Sequence, residues 1–142
     1  MNVFQPLILS IAMSSFAYAD SNSQTLTISL EKCGIHDTYE ELFVCASGVY
    51  EQSDKLLNNQ YKSLISYLEE KNKVQYRDIL RKAQRLWIQF RNTDCDFSMP
   101  KPKEPDDLYR WERASCMAKK TLIRLKELED YNLRRGYDGF PW

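Results

Sequence analysis

Two groups of side chains in this 142-residue chain have types and spacings that could do chemistry. The first is the set of four cysteines, Cys33, Cys45, Cys95 and Cys116. Cysteines can attack a substrate, hold a metal or pair as disulfides. No C-x-x-C spacing occurs and His36 is the one histidine, which disfavours a metal donor set. An even count behind an export signal reads instead as a disulfide framework. The second group is polar: Asp54, Asn58, Gln84, Trp87, Arg91, Thr121 and Arg124. Gln84, Trp87 and Arg91 are three and four apart and share one helix face. A carboxylate, two guanidiniums and an indole donor can build an ion-paired network that fixes helix register. The group contains no histidine, no cysteine nucleophile and no glycine-rich anion loop. It therefore reads as structural, with Asp54 expected to pair with Arg91, Arg124 or both. The paired carboxylates Glu40-Glu41 and Asp106-Asp107 are adjacent in sequence and diverge on a helix, so they suit first-turn charges better than an acid/base pair. Neither a catalytic residue nor a cofactor is expected.

The elements that must position these groups are helices. Thr38-Tyr39-Glu40-Glu41 is a capping box, and Leu42, Cys45 or Ala46, Val49, Ser53, Leu56 or Leu57, Tyr61, Leu64 and Leu68 follow at spacings of three and four, to about Glu70. Gly48 lies inside this helix at a cost of about 1 kcal/mol relative to alanine, which suggests close packing of another element there. After the polar turn Lys71-Asn72-Lys73, a second helix carries Tyr76, Ile79 or Leu80, Ala83, Trp87 and Phe90 on one face and ends near Cys95. Pro100, Pro102 and Pro105 interrupt the chain. A third helix then runs through Leu108, Trp111, Ala114 or Ser115, Ala118, Thr121 or Leu122, Leu125 and Leu128. Three amphipathic helices with short connections predict an all-α, antiparallel, up-down-up bundle. The alternating run Thr25 to Leu30 has no strand partner and is read as part of an N-terminal arm.

In hairpins that turn near Asn72 and between Cys95 and Cys116, residues equidistant from each turn share a level. Asp54 then falls beside Phe90 and Arg91, Arg91 beside Lys120 and Thr121, and Trp87 beside Arg124. The same levels put Cys45, Cys95 and Cys116 at one end of the bundle. Three pairings of four cysteines can be drawn. The favoured one joins Cys33 to Cys45, pinning the arm, and Cys95 to Cys116, closing the proline loop. A crossing of Cys33 to that loop is the alternative.

Residues 1–19 hold no charged side chain, include an apolar stretch around Leu7-Ile8-Leu9, and end Ala17-Tyr18-Ala19. This is the pattern of a secretory signal peptide with cleavage after Ala19, although no lysine or arginine marks its start. The stretch is too short to span a bilayer, and Asp20 leaves no lipid-bearing cysteine at the cleavage point. The expected organisation is a signal peptide (1–19), an arm (20–36), a three-helix domain (37–135) and an aromatic tail (136–142). Lysine plus arginine equals aspartate plus glutamate, at 20 each. That balance argues against a nucleic-acid partner.

Three runs carry a resemblance to a known family. They are Asp54-x-x-Leu57-Asn58-x-x-Tyr61-x-x-Leu64, Ala83-Gln84-x-x-Trp87-x-x-Phe90-Arg91-x-x-x-Cys95, and Cys116-x-x-x-x-Thr121-x-x-Arg124-x-x-x-Leu128. Together they resemble the LprI-type lysozyme inhibitor N-terminal domain, from Cys33 to about Leu128. A proline and acidic stretch replaces the glycine-containing loop usual there, and a lipid-attachment cysteine is missing. The resemblance implies a small, disulfide-bonded helical protein of the bacterial envelope, periplasmic or secreted. It also implies a protein partner, namely a lysozyme or another muramidase whose cleft is blocked sterically. Two surfaces suit such a role: the bridged loop with Met99, Glu104, Asp106 and Asp107, and the tail with Tyr137, Phe140 and Trp142. The alternative is a structural or stress-related envelope component that binds a resident periplasmic protein.

Overall fold

The computed structural model describes residues 29–99 and 101–136, so the expected signal peptide, most of the arm and the tail residues Tyr137, Phe140 and Trp142 lie outside the described residues. Three long helices follow a short 3-10 helix at Leu30–Ile35. They are α1, Tyr39–Glu70; α2, Val74–Ser98; and α3, Asp107–Arg134. Among the described residues there is no strand.

Three of the helix ends have a clear local cause. At the start of α1, the Glu41 amide donates to Thr38 Oγ1 at 3.2 Å and the Thr38 amide donates to Glu41 Oε2 at 3.2 Å. Hydrogen bonds from Thr38 hold the Glu41 carboxyl below its ordinary value of 4.5. At the other end, Lys73 N–H reaches Leu68 O at 2.7 Å and Asn72 N–H reaches Glu69 O at 3.0 Å. This double closure requires a left-handed residue, and Asn72 supplies it with φ of 54°. Asp106 caps α3 by accepting from the Tyr109 amide at 2.8 Å.

Side-chain pairs establish the directions of the helices. Tyr39 stacks on Trp111, Asn132 donates to Gln60, and Arg135 donates to Ser63, all at the same chain offset of 72. A constant offset means α1 and α3 run parallel. Against α3, partners on α2 descend as those on α3 ascend, from Cys95–Cys116 through Asp94–Lys120 and Arg91–Thr121 to Gln84–Arg124. The helix between them is therefore antiparallel to α3, and the bundle goes up, down and up.

α1 lies much closer to α3 than α2 lies to either. Ala46, Ser53, Ala118 and Thr121 are fully buried, and such small side chains let two backbones approach. Leu57, Leu64, Leu125 and Leu128 form the apolar core, with Leu56, Tyr61, Leu80, Trp87 and Tyr131 packed against it. Two disulfides, Cys33–Cys45 and Cys95–Cys116, tie the arm to α1 and α2 to α3.

Within the arm, Leu30–Ile35 coil into the 3-10 helix, capped by Ser29, whose side chain accepts from the Glu31 amide. Two sequence expectations need correction. α2 continues one turn beyond Cys95, to Ser98, because the proline segment starts only after Met99. Gly48 does not mark a close approach: a Cβ built there meets nothing within 4 Å.

Gly48→Ala is therefore expected to stabilise the protein by roughly 0.5–1 kcal/mol, read from urea unfolding, because it restricts the unfolded chain without a clash. The Cys95–Cys116 bridge spans 21 positions. Replacing both cysteines with serine should cost about 3 kcal/mol in the chain-entropy account, seen in calorimetry as a melting temperature lower by roughly 10–20 °C.

Candidate functional site

The residues most capable of chemistry meet where the three helices face one another, around Arg91. This arginine projects from the inner face of α2 and its side chain is only 6% exposed. Its Nη1 donates to Asp54 Oδ1 on α1 at 3.1 Å and to Thr121 Oγ1 on α3 at 3.1 Å. Nε donates to Asn92 Oδ1 at 3.2 Å. The guanidinium carbon lies 5.3 Å from the Tyr50 ring centroid and 4.9 Å from that of Trp87. A buried guanidinium is tolerated only when its donors are used and a counter-charge is near, and both conditions hold here. Asp54 is held in turn by Asn58, whose Nδ2 donates to Oδ2 at 3.0 Å.

One turn toward the α1–α2 connection, Arg124 of α3 forms a second polar group. Its Nε donates to Gln84 Oε1 at 3.2 Å and its Nη1 to Glu127 Oε2 at 2.7 Å. Trp87 stands between the two arginines, with the Arg124 guanidinium 6.0 Å from its ring centroid. Asp54 pairs with Arg91, and Arg124 takes Glu127 as its carboxylate. The seven residues singled out in sequence thus lie in two adjoining polar groups joined by one indole. Tyr50, Asn92 and Glu127 complete these groups and were not singled out. Tyr50 stands four positions before Asp54 and Glu127 three after Arg124, so helical spacing was the available signal.

Such an arrangement can hold three helices in one register. It presents a paired carboxylate and guanidinium, and all four cysteines are in disulfides. Among the described residues no three His, Cys, Asp or Glu side chains converge as a metal donor set. Among them, too, no helix is long and apolar enough to cross a membrane.

The candidate partner surface is the α2–α3 connection. Residues 101–106 are exposed. Their flanks are fastened by the Cys95–Cys116 bridge, by Arg113 Nε to Asp96 Oδ1 at 2.9 Å, and by Lys120 to Asp94 at 2.6 Å. Asp106 is occupied as the α3 cap and Asp107 pairs with Arg110 at 2.9 Å. Met99 is half-buried beside a concavity that Trp111 and Cys116 also line, while Glu104 is exposed.

Comparison with known proteins adds a family to this geometry. The family described as "Lysozyme inhibitor LprI" matches residues 32–128. An uncharacterised protein of Escherichia coli K12, YecT, is 29% identical over 107 residues. That alignment covers 68% of this chain and 65% of the relative, so the chain matches slightly less than two thirds of that protein's length. No solved structure matches.

Asp54 is partly exposed, so solvent screens its pairing with Arg91. Asp54→Ala should still cost about 1–3 kcal/mol, because it leaves the buried guanidinium short of a counter-charge. The double variant Asp54→Ala/Arg91→Met should recover much of that loss. A urea-unfolding cycle in which the two changes simply add would contradict the coupling.

Proposed function

The chain belongs to the LprI lysozyme inhibitor family, and from that premise we propose that it is an exported binding protein that inhibits a lysozyme or another peptidoglycan-cleaving muramidase by covering its cleft. The observation that carries this reading is the family match over residues 32–128, which includes both disulfides and the whole polar layer. The fold supports it physically. A steric inhibitor needs no reacting group; it needs a surface whose ordering cost has been met before the partner arrives. The α2–α3 connection offers such a surface, since a disulfide, two ion pairs and a helix cap hold its ends.

Export agrees with the same reading. Two disulfides with no free cysteine among the described residues suit an oxidising compartment such as the periplasm or the outside of the cell. Residues 1–19 supply the expected signal peptide. Within the connection, exposed Lys101, Lys103 and Glu104 give a mixed polar rim, and Met99 offers an adaptable apolar contact. The aromatic tail with Tyr137, Phe140 and Trp142 is the second candidate surface.

Titration of the oxidised chain beginning at Asp20 into a turbidity assay with several lysozyme types tests this function. Saturable inhibition of at least one type is expected. Met99→Ala/Glu104→Ala should weaken it by at least tenfold at unchanged melting temperature, whereas truncation before Tyr137 tests the tail separately. Full lytic activity of every type at high excess of the protein would remove the inhibitor reading and favour a resident envelope partner instead.

A further inference from the structure

The outer flank of α2 carries a feature that the fold leaves unused. Ile79, Leu86, Phe90 and Phe97 are 56%, 54%, 58% and 83% exposed, unusual for large apolar side chains on one helix. With Ala83 and Thr93, also exposed, they recur at steps of four, three, four, three and four. That is the spacing of a coiled-coil seam, and it lies beside the face that carries Arg91. The seam runs between two grooves: Ile79 and Ala83 line one with Tyr131 and Arg124, while Phe90 lies under Lys120, which lines the other with the exposed Ile123.

The order of residue sizes along this seam is the same in both directions. Taken from its middle, at the level of residue 88, Leu86 mirrors Phe90, Ala83 mirrors Thr93, and Ile79 mirrors Phe97. Large, small, large therefore meets large, small, large when one copy is laid antiparallel on another. Charge follows the same symmetry. The first half of α2 holds Arg77 and Arg81, which pair with Glu69 and Asp78, together with Lys82 and Arg85, whereas the second half holds the buried Arg91 and two aspartates, Asp94 paired with Lys120 and Asp96 with Arg113. An antiparallel pairing sets the exposed Lys82 of each copy against the partly exposed Asp96 of the other; a parallel pairing would set Lys82 beside Lys82 and Asp96 beside Asp96.

We propose that two copies of this chain associate through α2, antiparallel about a two-fold axis at the level of residue 88, with Ile79, Leu86, Phe90 and Phe97 as the apolar seam. Such an interface is isologous: each contact occurs twice and the assembly closes as a dimer. On the solvent-side flank, Lys82 of one copy faces Asp96 of the other. Asp96 keeps exposed surface for this although one oxygen accepts from Arg113, its side chain being 56% exposed. Residues 79–97 span about 27 Å of helix, a small interface by the standard of obligate dimers. The dimer is accordingly weak, and it weakens further as salt screens the flanking charges.

Sedimentation equilibrium of the disulfide-intact chain from 1 to 200 μM tests this proposal, independently of any lysozyme activity. A reversible monomer–dimer equilibrium is expected. Leu86→Glu/Phe90→Glu should leave only monomer at 200 μM without lowering the melting temperature. Lys82→Glu and Asp96→Lys should each raise the dissociation constant several-fold, and the double charge swap should restore it. A monomer at every concentration overturns the proposal. So does self-association that the Leu86→Glu/Phe90→Glu variant leaves intact, since another face would then be responsible. A charge swap that fails to restore pairing overturns the antiparallel arrangement.

Discussion

Burial of the Arg91 guanidinium is the constraint on which the rest of the bundle depends. Apolar side chains in a helical bundle can slide past one another with moderate loss, because dispersion contacts have little direction. A buried cation has no such freedom. Asp54 on α1 and Thr121 on α3 must both be within hydrogen-bond reach, and the rings of Tyr50 and Trp87 must lie close to the guanidinium. Sliding α2 by one turn would move the arginine about 5.4 Å and strand its charge away from both partners. The leucine core supplies adhesion, and the polar layer supplies register.

The same side chains explain the unequal spacing of the three helices. α1 and α3 meet through alanine, serine and threonine and approach closely along a parallel path. α2 points Gln84, Trp87 and Arg91 inward, and long side chains hold its backbone farther away. One consequence is an apolar groove of about 220 Å³ between the start of α2 and the ends of α1 and α3, lined by Leu64, Leu68, Ile79 and Tyr131. Another is the exposed flank of α2, which two neighbouring helices at that distance cannot cover. The disulfides complement the polar layer from one end of the bundle, where the arm and the proline connection would otherwise be least restrained. The end of the bundle that carries the α2–α3 connection is thus the end the disulfides restrain.

Much of this was legible before any coordinates. Thr38 and Glu41 announced a helix start because a capping box acts over three residues. Apolar positions at steps of three and four marked the length of each helix. Equal distances from two turns placed Asp54, Arg91 and Thr121 at one level, because rise per residue is the same in every α-helix. Other features were hidden. Gly48 suggested a close neighbour, yet the space beside it is open. Glycine in a helix has the same local signature whether or not something packs there. Arg124 was a second candidate for Asp54, and its actual carboxylate, Glu127, lies on its own helix, where proximity outweighs reach across the bundle.

The chain's sequence by itself determined the helices, their caps, their levels and the chemical kinds that share each level. All of these follow from backbone hydrogen bonding and a fixed helical pitch, which act over a few residues. The tertiary structure alone decided which guanidinium takes Asp54, how closely α1 and α3 approach, and which flank of α2 is left uncovered. Those outcomes depend on distances between helices, and such distances are set by many side-chain volumes packing at once rather than by any local run of residues.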